Sequence, residues 1–233
     1  MKITVVIPMY NESAIIEDTA RALSEYMASA FDTYEIIFFD DGSKDGSMDI
    51  VEALCLPCVR VLGTKENHGK GSAVRRAMLE ATGDIRVFTD ADLAYGTDVI
   101  KQVYDLMSED GTVDVVIGSR NLERSGYEGY SFIRKIMSKI YIKVLCLTGG
   151  FKLSDSQCGL KAFRGQTASE IFSLCCVDGF AFDFEVILNA IKHGKKIDEM
   201  PVRIINHRES SVRPLRDAFR MLKDLRKIKK SMK

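Results

Sequence analysis

The chain has 233 residues, of which 46% are hydrophobic and 28% charged, and its 33 basic residues balance 33 acidic ones. This composition is typical of an ordinary globular protein, and the zero net charge argues against a general attraction to nucleic acid. The length fits one large catalytic domain, which we place at residues 1–213, followed by a basic C-terminal helix or tail at residues 214–233.

The cysteines and the apolar runs indicate the expected cellular location of the protein. Six cysteines and no signal peptide predict reduced thiols in a cytoplasmic protein. Cys55 and Cys58 have the spacing of a redox motif or zinc half-site, but no second pair completes it, so we interpret them as structural. No apolar run approaches the ~18 residues of a membrane span. We therefore expect a protein that associates peripherally with the cytoplasmic face of a membrane without crossing it.

The first half of the chain alternates short apolar runs with segments of helical periodicity. The apolar runs are predicted as buried strands, and Asn11 and Ser13 offer capping oxygens to the first helix. This alternation predicts an α/β fold with a parallel sheet and right-handed crossovers. The predicted strands are residues 3–8, 34–39, 59–62 and 86–89, and the predicted helices are residues 15–27, 47–54 and 73–81.

Carboxylates follow two of these predicted strands directly. Asp40 and Asp41 end the second strand, and Asp90 and Asp92 end the fourth. The carboxyl edge of an open α/β sheet is where such folds bind ligands. Asp90 and Asp92 lie on the same side of an extended backbone and can converge on one hard cation, although Asp-x-Asp also occurs in ordinary surface turns.

Two common nucleotide-binding motifs do not fit these loops. A dinucleotide-binding fold needs Gly-x-Gly-x-x-Gly after its first strand, and residues 8–13 contain no glycine. A phosphate-binding P-loop needs four residues between its first glycine and the Gly-Lys pair, whereas five separate Gly63 from Gly69, and Gly71 follows Lys70.

The second half of the chain contains a strand that delivers Arg120 to the same sheet edge and a helix with lysines on one face. In that helix, residues 131–147, apolar positions lie on one face and Lys135, Lys139 and Lys143 on another. The pattern suits a membrane surface, but a core-facing helix with a solvated lysine face has the same pattern. The other predicted elements are a helix at 97–109, the strand at 113–120, a polar turn at 154–161 that leads into a strand, a helix at 178–191, a strand at 201–205 and a helix at 215–230.

Five ordered motifs resemble those of family 2 glycosyltransferases, and within that family the enzymes that load a sugar onto a polyprenyl phosphate such as dolichyl phosphate. The resemblance runs from Val5 to about Leu225. It implies a GT-A type, Rossmann-like three-layer domain with a mostly parallel central sheet. The motifs are Pro8-x-Tyr10-Asn11-Glu12, Asp40-Asp41-Gly-Ser, Asn67-x-Gly-Lys-Gly, Asp90-Ala-Asp92 and Gly118-Ser-Arg120.

The resemblance also implies roles for the matching positions. Asp90 and Asp92 would bind Mg²⁺ or Mn²⁺, which neutralises the diphosphate leaving group and makes Asp92 a catalytic residue. Arg120, Arg134 and, in a loosely matching late loop, Arg208 would hold the acceptor phosphate. Asp40, Asp41 or both would contact the nucleotide. The implied nucleotide-sugar-binding residues are Pro8, Tyr10, Glu12, Asp40, Asp41, Lys70, Gly71, Asp90, Ala91 and Asp92.

Two details favour one donor over another. Mannosyl-phosphate synthases that resemble this chain usually carry Gln two residues after the second metal aspartate, and here that position is Ala94. Residues 155–161, Asp-Ser-Gln-Cys-Gly-Leu-Lys, instead resemble a segment of dolichyl-phosphate β-glucosyltransferases. We therefore expect UDP-glucose as the donor, GDP-mannose as the next candidate, and dolichyl or undecaprenyl phosphate as the acceptor.

The expected reaction is an inverting transfer to a phosphate. A phosphate monoester is largely dianionic near neutral pH, because its second pKa is about 6, so it can attack without a strong base. Asp155 is a candidate to orient the acceptor or to act as that base. Two alternatives remain. One is a family member with a soluble or polysaccharide acceptor, of which the lack of tryptophan disfavours the processive polysaccharide version. The other is a non-catalytic nucleotide-sugar-binding module, which the intact acidic residues disfavour.

Overall fold

The computed structural model describes residues 1–127, 132–206 and 228, which form a seven-stranded sheet with helices on both faces. The strands are β1 (Ile3–Met9), β2 (Tyr34–Asp41), β3 (Val59–Thr64), β4 (Ile85–Phe88), β5 (Val115–Ser119), β6 (Lys161–Arg164) and β7 (Ile197–Pro201). The helices are α1 (Ile16–Ala30), α2 (Ser47–Ala53), α3 (Lys70–Glu80), α4 (Asp98–Glu109), α5 (Phe132–Gly149), α6 (Gly165–Leu174) and α7 (Phe182–Lys192).

The strand order is β3-β2-β1-β4-β6-β5-β7, and only β6 runs against its neighbours. The first four strands pair in parallel, as do β5 and β7. Because β6 is antiparallel, its first residue, Lys161, pairs with Phe88 at the end of β4 and with Ile117 near the end of β5. The segment that precedes β6 therefore meets the carboxyl ends of β4 and β5 at one edge of the sheet.

Each face of the sheet buries its own hydrophobic core. One core joins the β1 side chains Ile3, Val5 and Ile7 to α1, α2 and α4. The other joins Val6 and Phe88 to α3, α6 and α7, and it includes Leu145 of α5. Residues alternate between the two cores along the central strands, since successive strand side chains point to opposite faces. Burial on both faces holds the sheet edge in place and thereby positions the loops that carry the polar residues.

The α/β fold with a mostly parallel sheet is confirmed, and several local predictions need correction. The predicted capping of the first helix is wrong: α1 begins at Ile16 with no side-chain cap, and Asn11 accepts a hydrogen bond from the Lys44 backbone N–H instead. The last strand covers Ile197–Pro201, not 201–205, because those residues pair with β5. Helix α6 was not predicted. Apart from Ile228, the predicted C-terminal helix and the tail at 214–233 lie outside the described residues.

Two helix starts also differ from their predicted positions, and one contact accounts for both. Helix α3 begins at Lys70, three residues early, and α7 begins at Phe182, four residues late. The Gly71 N–H donates to the Asp178 carbonyl at 2.8 Å. A Cβ on Gly71 would lie 2.6 Å from the Phe182 Cβ, so only glycine permits this contact. The loop before α7 is thus held against the N-terminus of α3.

Candidate active site

Asp90 and Asp92 follow β4 at the sheet edge, as predicted from the sequence. The Asp92 carboxylate accepts a hydrogen bond from the Ala94 N–H at 3.1 Å. Burial, followed by the negative charge of Asp90, raises the pKa of Asp92 above its ordinary value. Glu12 adds to this effect and therefore lies on the same side of the site. Two carboxylates that repel each other in a half-buried position are a fitting donor set for a hard divalent cation.

Lys70 reaches the same carboxylates from the start of α3. Its ammonium donates to Asp90 Oδ1, and the Lys70 side chain is only one quarter exposed. Burial alone would lower the pKa of Lys70, but the charges of Asp90 and Asp183 outweigh it, and the pKa is raised. Lys70 is therefore a fixed positive charge beside the two aspartates, where the predicted diphosphate would need one.

Gly159 packs directly against Asp90. A Cβ at this position would lie 2.0 Å from Asp90 Oδ2, so any larger residue must displace the carboxylate. The Gly159 N–H donates to the buried Tyr95 hydroxyl at 3.2 Å. Residue 159 thus fixes the orientation of Asp90 from the segment that precedes β6.

Asp40 and Asp41 point to opposite faces at the end of β2 and have different partners. Asp40 accepts a hydrogen bond from the Ser43 N–H at 2.9 Å and another from the Ser43 hydroxyl. Asp41 accepts from the backbone N–H groups of His68 at 3.1 Å and Gly69 at 2.7 Å. Asp41 therefore anchors the loop that presents Lys70, while contact of either aspartate with a nucleotide remains a prediction.

The other predicted nucleotide-sugar residues lie around the same edge. Tyr10 is 45% exposed after β1, next to the half-buried Pro8. The Glu12 N–H donates to Ser47 Oγ at 2.8 Å, which joins the loop after β1 to the start of α2. Ala91 is buried, and its carbonyl accepts a hydrogen bond from Thr19 Oγ1 at 2.7 Å. The structure brings these residues to one edge, and their contacts with a ligand stay predictions.

Arg120 and Asp155, both predicted to act at the acceptor side of the site, bind each other. Arg120 Nε and Nη2 donate to Asp155 Oδ2 and Oδ1 at 2.6 and 2.9 Å, and both residues are buried. Burial alone would lower the pKa of the Arg120 guanidinium. Tyr95 and Asp155 outweigh this effect and raise that pKa well above its ordinary value. The guanidinium also lies 5.1 Å from the centre of the Tyr127 ring. The sequence predicted separate roles for Arg120 and Asp155, whereas the structure makes them one ion pair.

Glu199 of β7 holds the segment that carries Asp155. Its carboxylate accepts hydrogen bonds from the Ser154 N–H at 2.8 Å and from Ser154 Oγ at 2.7 Å. Asn121 Nδ2 donates to the Ser154 carbonyl at 2.5 Å from the other side. Two predicted phosphate ligands cannot be placed: the side chain of Arg134 and the whole of Arg208 lie outside what the structure describes.

Sequence reasoning missed the buried pair Lys161 and Asp183. Lys161 Nζ donates to Asp183 Oδ1 at 2.6 Å and to the Cys158 carbonyl at 2.7 Å, and Lys161 is fully buried. Burial raises the pKa of Asp183, while Lys161 and Lys70 act in the opposite direction. The available signal was a lysine at the start of an apolar strand, because a lysine in a core must find an anionic partner.

This arrangement defines the class of the protein. A mostly parallel α/β sheet that gathers paired aspartates, a lysine and an arginine at one edge is typical of a GT-A type glycosyltransferase. Residues 4–172 match glycosyl transferase family 2. The chain belongs to this family, and the predicted fold and family are confirmed.

Two curated relatives are similar to the chain over nearly all of its length. The dolichyl-phosphate beta-glucosyltransferase of Dictyostelium discoideum is 32% identical over 97% of this chain and 73% of the relative. The dolichyl-phosphate beta-glucosyltransferase of Homo sapiens is 31% identical over 96% of this chain and 74% of the relative.

Solved structures of a glucosyl-3-phosphoglycerate synthase from Mycobacterium tuberculosis share the fold. The complex with Mn²⁺, UDP and phosphoglyceric acid has a TM-score of 0.71 and 21% identity, over 99% of this chain and 77% of that one. The complex with Mg²⁺ and UDP has a TM-score of 0.67 and 22% identity, over 99% and 78%. At these identities the likeness shows the fold alone.

Proposed function

We propose that this chain is an inverting transferase that moves glucose from UDP-glucose to a polyprenyl phosphate. The observation that carries the proposal is the segment 155–161, whose sequence resembles that of dolichyl-phosphate β-glucosyltransferases. In the structure Asp155 binds Arg120, Gly159 packs on Asp90, and Lys161 binds Asp183. One short segment thus orders the donor side and the acceptor side together. The similarity to relatives that are named dolichyl-phosphate beta-glucosyltransferase supports glucose as the sugar and a polyprenyl phosphate as the acceptor.

The residues at the donor side fit a divalent cation. Asp90 and Asp92 would hold Mg²⁺ or Mn²⁺, and burial followed by repulsion from Asp90 raises the pKa of Asp92, two costs that a bound cation would offset. The cation would supply charge neutralisation of the diphosphate leaving group. Among the described residues, no group of three or more His, Cys, Asp or Glu side chains is arranged for a metal. Two protein carboxylates leave room in a coordination shell for diphosphate oxygens.

The chain's own residues provide the remaining charge compensation. Lys70, held beside Asp90, lies where a diphosphate is expected to bind, and the neighbouring carboxylates raise its pKa despite burial and so keep the ammonium charged. On the acceptor side, Asp155 engages two of the five N–H donors of the Arg120 guanidinium and fixes its plane. The remaining donors can face a phosphate. A dianionic acceptor needs orientation more than it needs a base, and the fixed guanidinium supplies that orientation.

The surface of α5 supports a peripheral position on the cytoplasmic face of a membrane. Its predicted apolar face is turned outward: Ile140 is 56% exposed and Leu147 75% exposed, with Lys139 and Lys143 exposed on the same helix. The core-facing alternative would have buried this face. Within residues 1–127 and 132–206, no helix combines the length and apolarity of a bilayer span. An exposed apolar stripe flanked by lysines suits the surface of an anionic bilayer.

The donor and acceptor can be tested together. The purified chain is incubated with radiolabelled UDP-glucose or GDP-mannose, Mn²⁺ and undecaprenyl or dolichyl phosphate, and the product is extracted into organic solvent. We expect label in the organic phase from UDP-glucose. Transfer from GDP-mannose alone would overturn the donor assignment, and label that stays in water with every lipid would overturn the acceptor assignment.

A further inference from the structure

A groove of about 840 Å³ lies between α5 and the loop 150–154, outside the residues assigned above to donor binding. Its floor contains Ile142, Cys146, Phe151 and Leu153. Ile142 and Phe151 are buried, whereas Leu147 at the margin is 75% exposed. An open groove with an apolar floor can bury part of an apolar chain, which an ordinary solvated surface cannot do.

The charged residues that line this groove are all cationic. Lys139, Lys143 and Lys152 line it, and no acidic side chain does so among the residues that the structure describes. None of the three lysines takes part in the ion pairs described for this chain. An apolar floor with a cationic margin is complementary to a ligand that joins an apolar chain to an anionic group.

One end of the groove touches the acceptor side of the site. Asn121 and Ser154 line that end and bind each other, and they are the chain neighbours of Arg120 and Asp155. The Asp155 carboxylate already neutralises the charge of Arg120. A dianionic acceptor that approaches this ion pair therefore needs further positive charge, and the lysines of the groove supply it.

We propose that this groove binds the acceptor lipid itself, an inference that rests on the proposed function. The first isoprene units of the prenyl phosphate lie on Ile142, Cys146 and Phe151. The lysine margin compensates the charge of the phosphate as it reaches the Asn121 end of the groove. The bilayer then receives only the distal part of the chain, and the groove accounts for selection of an apolar acceptor over a soluble phosphate.

The absence of tryptophan from the chain permits a direct binding test. Leu147→Trp places the only tryptophan at the groove, and Leu174→Trp places it at another exposed position, on α6. The probes are geranyl phosphate, geraniol, inorganic phosphate, and anionic vesicles without prenyl phosphate. We expect a saturable blue shift of the Leu147→Trp fluorescence with geranyl phosphate, a weaker response to geraniol and none to inorganic phosphate. The Leu174→Trp fluorescence stays unchanged.

Two outcomes of this titration would overturn the proposal. Equal responses of the two tryptophan variants to geranyl phosphate would mean non-specific binding. A response of Leu147→Trp to vesicles but not to geranyl phosphate would mean that the groove contacts bilayer lipid and not the acceptor. The titration measures binding and needs no turnover. It therefore tests lipid binding in the groove independently of activity. Failure to transfer glucose to any prenyl phosphate would refute the proposed function and not the groove.

A charge-reversal pair tests the lysine margin in turnover. Lys143→Glu with Lys152→Glu should raise the KM for prenyl phosphate about tenfold, which corresponds to about 1.4 kcal/mol. The KM for UDP-glucose should stay within about twofold. The matched control, Arg21→Glu with Arg76→Glu, makes the same charge change at exposed positions away from the groove and should leave both KM values as in the parent. Equal effects of the two double variants on the acceptor KM would show that only overall charge matters and would overturn the proposal.

Discussion

The predicted donor side and the predicted acceptor side of the site hold their charges in different ways. At the donor side, Asp40 and Asp92 accept hydrogen bonds from backbone N–H groups two or three residues further along the chain. At the acceptor side, Arg120 and Asp155 are 35 residues apart in sequence, are buried, and satisfy each other. Asp40 and Asp92 are thus held by local turns, while the pair Arg120–Asp155 exists only when β5 and the segment before β6 meet.

This difference indicates how each side tolerates change. Asp90 and Asp92 stay partly accessible, so removing Asp92 mainly affects ligand binding. Removing one partner of the buried acceptor pair leaves an uncompensated charge in the core, so the fold itself is affected. The following variants test whether the two sides separate in this way.

The largest expected effect comes from breaking the buried pair. Asp155→Ala leaves the Arg120 guanidinium without its carboxylate and should lower the free energy of unfolding by about 3–5 kcal/mol, measured by urea denaturation. Asp105→Ala is the control, because it removes an exposed partner of Lys101 and should cost no more than about 1 kcal/mol. If the two substitutions cost the same, the acceptor pair is not a buried structural unit.

The next effect separates donor chemistry from stability. Asp92→Ala should lower kcat by about 10²–10³-fold, the loss typical of one electrostatic stabiliser in a catalytic site. The free energy of unfolding without ligand should stay near that of the parent. Thermal stabilisation by UDP with Mn²⁺ should lose its metal-dependent part. A UDP-induced shift that neither a chelator nor this substitution changes would refute the metal assignment.

A smaller effect tests whether the segment before β6 orients the donor carboxylate. Gly159→Ala places a methyl group where Asp90 Oδ2 now lies and should weaken Mn²⁺ binding about 10- to 100-fold, as loss of a supporting contact does in metal sites. The matched control is Gly111→Ala, where an added Cβ meets no atom within 4 Å. Calorimetric titration with Mn²⁺ measures both. Unchanged affinity in Gly159→Ala would show that Asp90 adjusts freely.

The smallest effect concerns the membrane. Lys135→Glu with Lys139→Glu should weaken cosedimentation with anionic liposomes, since each basic residue near such a surface contributes on the order of 1 kcal/mol. Attachment of the parent should fall with added salt, because the Debye length is about 8 Å at physiological ionic strength. UDP binding should be unaffected in the double variant. Liposome binding and lipid glucosylation at parental levels would make α5 an ordinary structural element.

The same contrast explains what could be predicted from the sequence. Asp90 and Asp92 directly follow an apolar strand. Their place at the sheet edge could therefore be predicted from the strand pattern and the alternation of strands and helices alone. The pairs Arg120–Asp155 and Lys161–Asp183 could not, because sequence spacing does not show that β6 runs antiparallel between β4 and β5. The start of α7 was misplaced for a related reason. The Asp178 carbonyl accepts a hydrogen bond from the Gly71 N–H, which is more than 100 residues away in sequence. A local helical pattern cannot predict such a contact.

The central claim, glucose transfer from UDP to a lipid phosphate, is tested most directly by the mass of the product. The purified chain receives equal amounts of UDP-glucose and GDP-mannose with Mn²⁺ and a single prenyl phosphate. Mass spectrometry then records the lipid and the released nucleotide in one sample. The account predicts a prenyl phosphate that has gained one hexose, accompanied by UDP. Release of GDP with the hexosylated lipid, or release of UDP with an unmodified lipid, would contradict it.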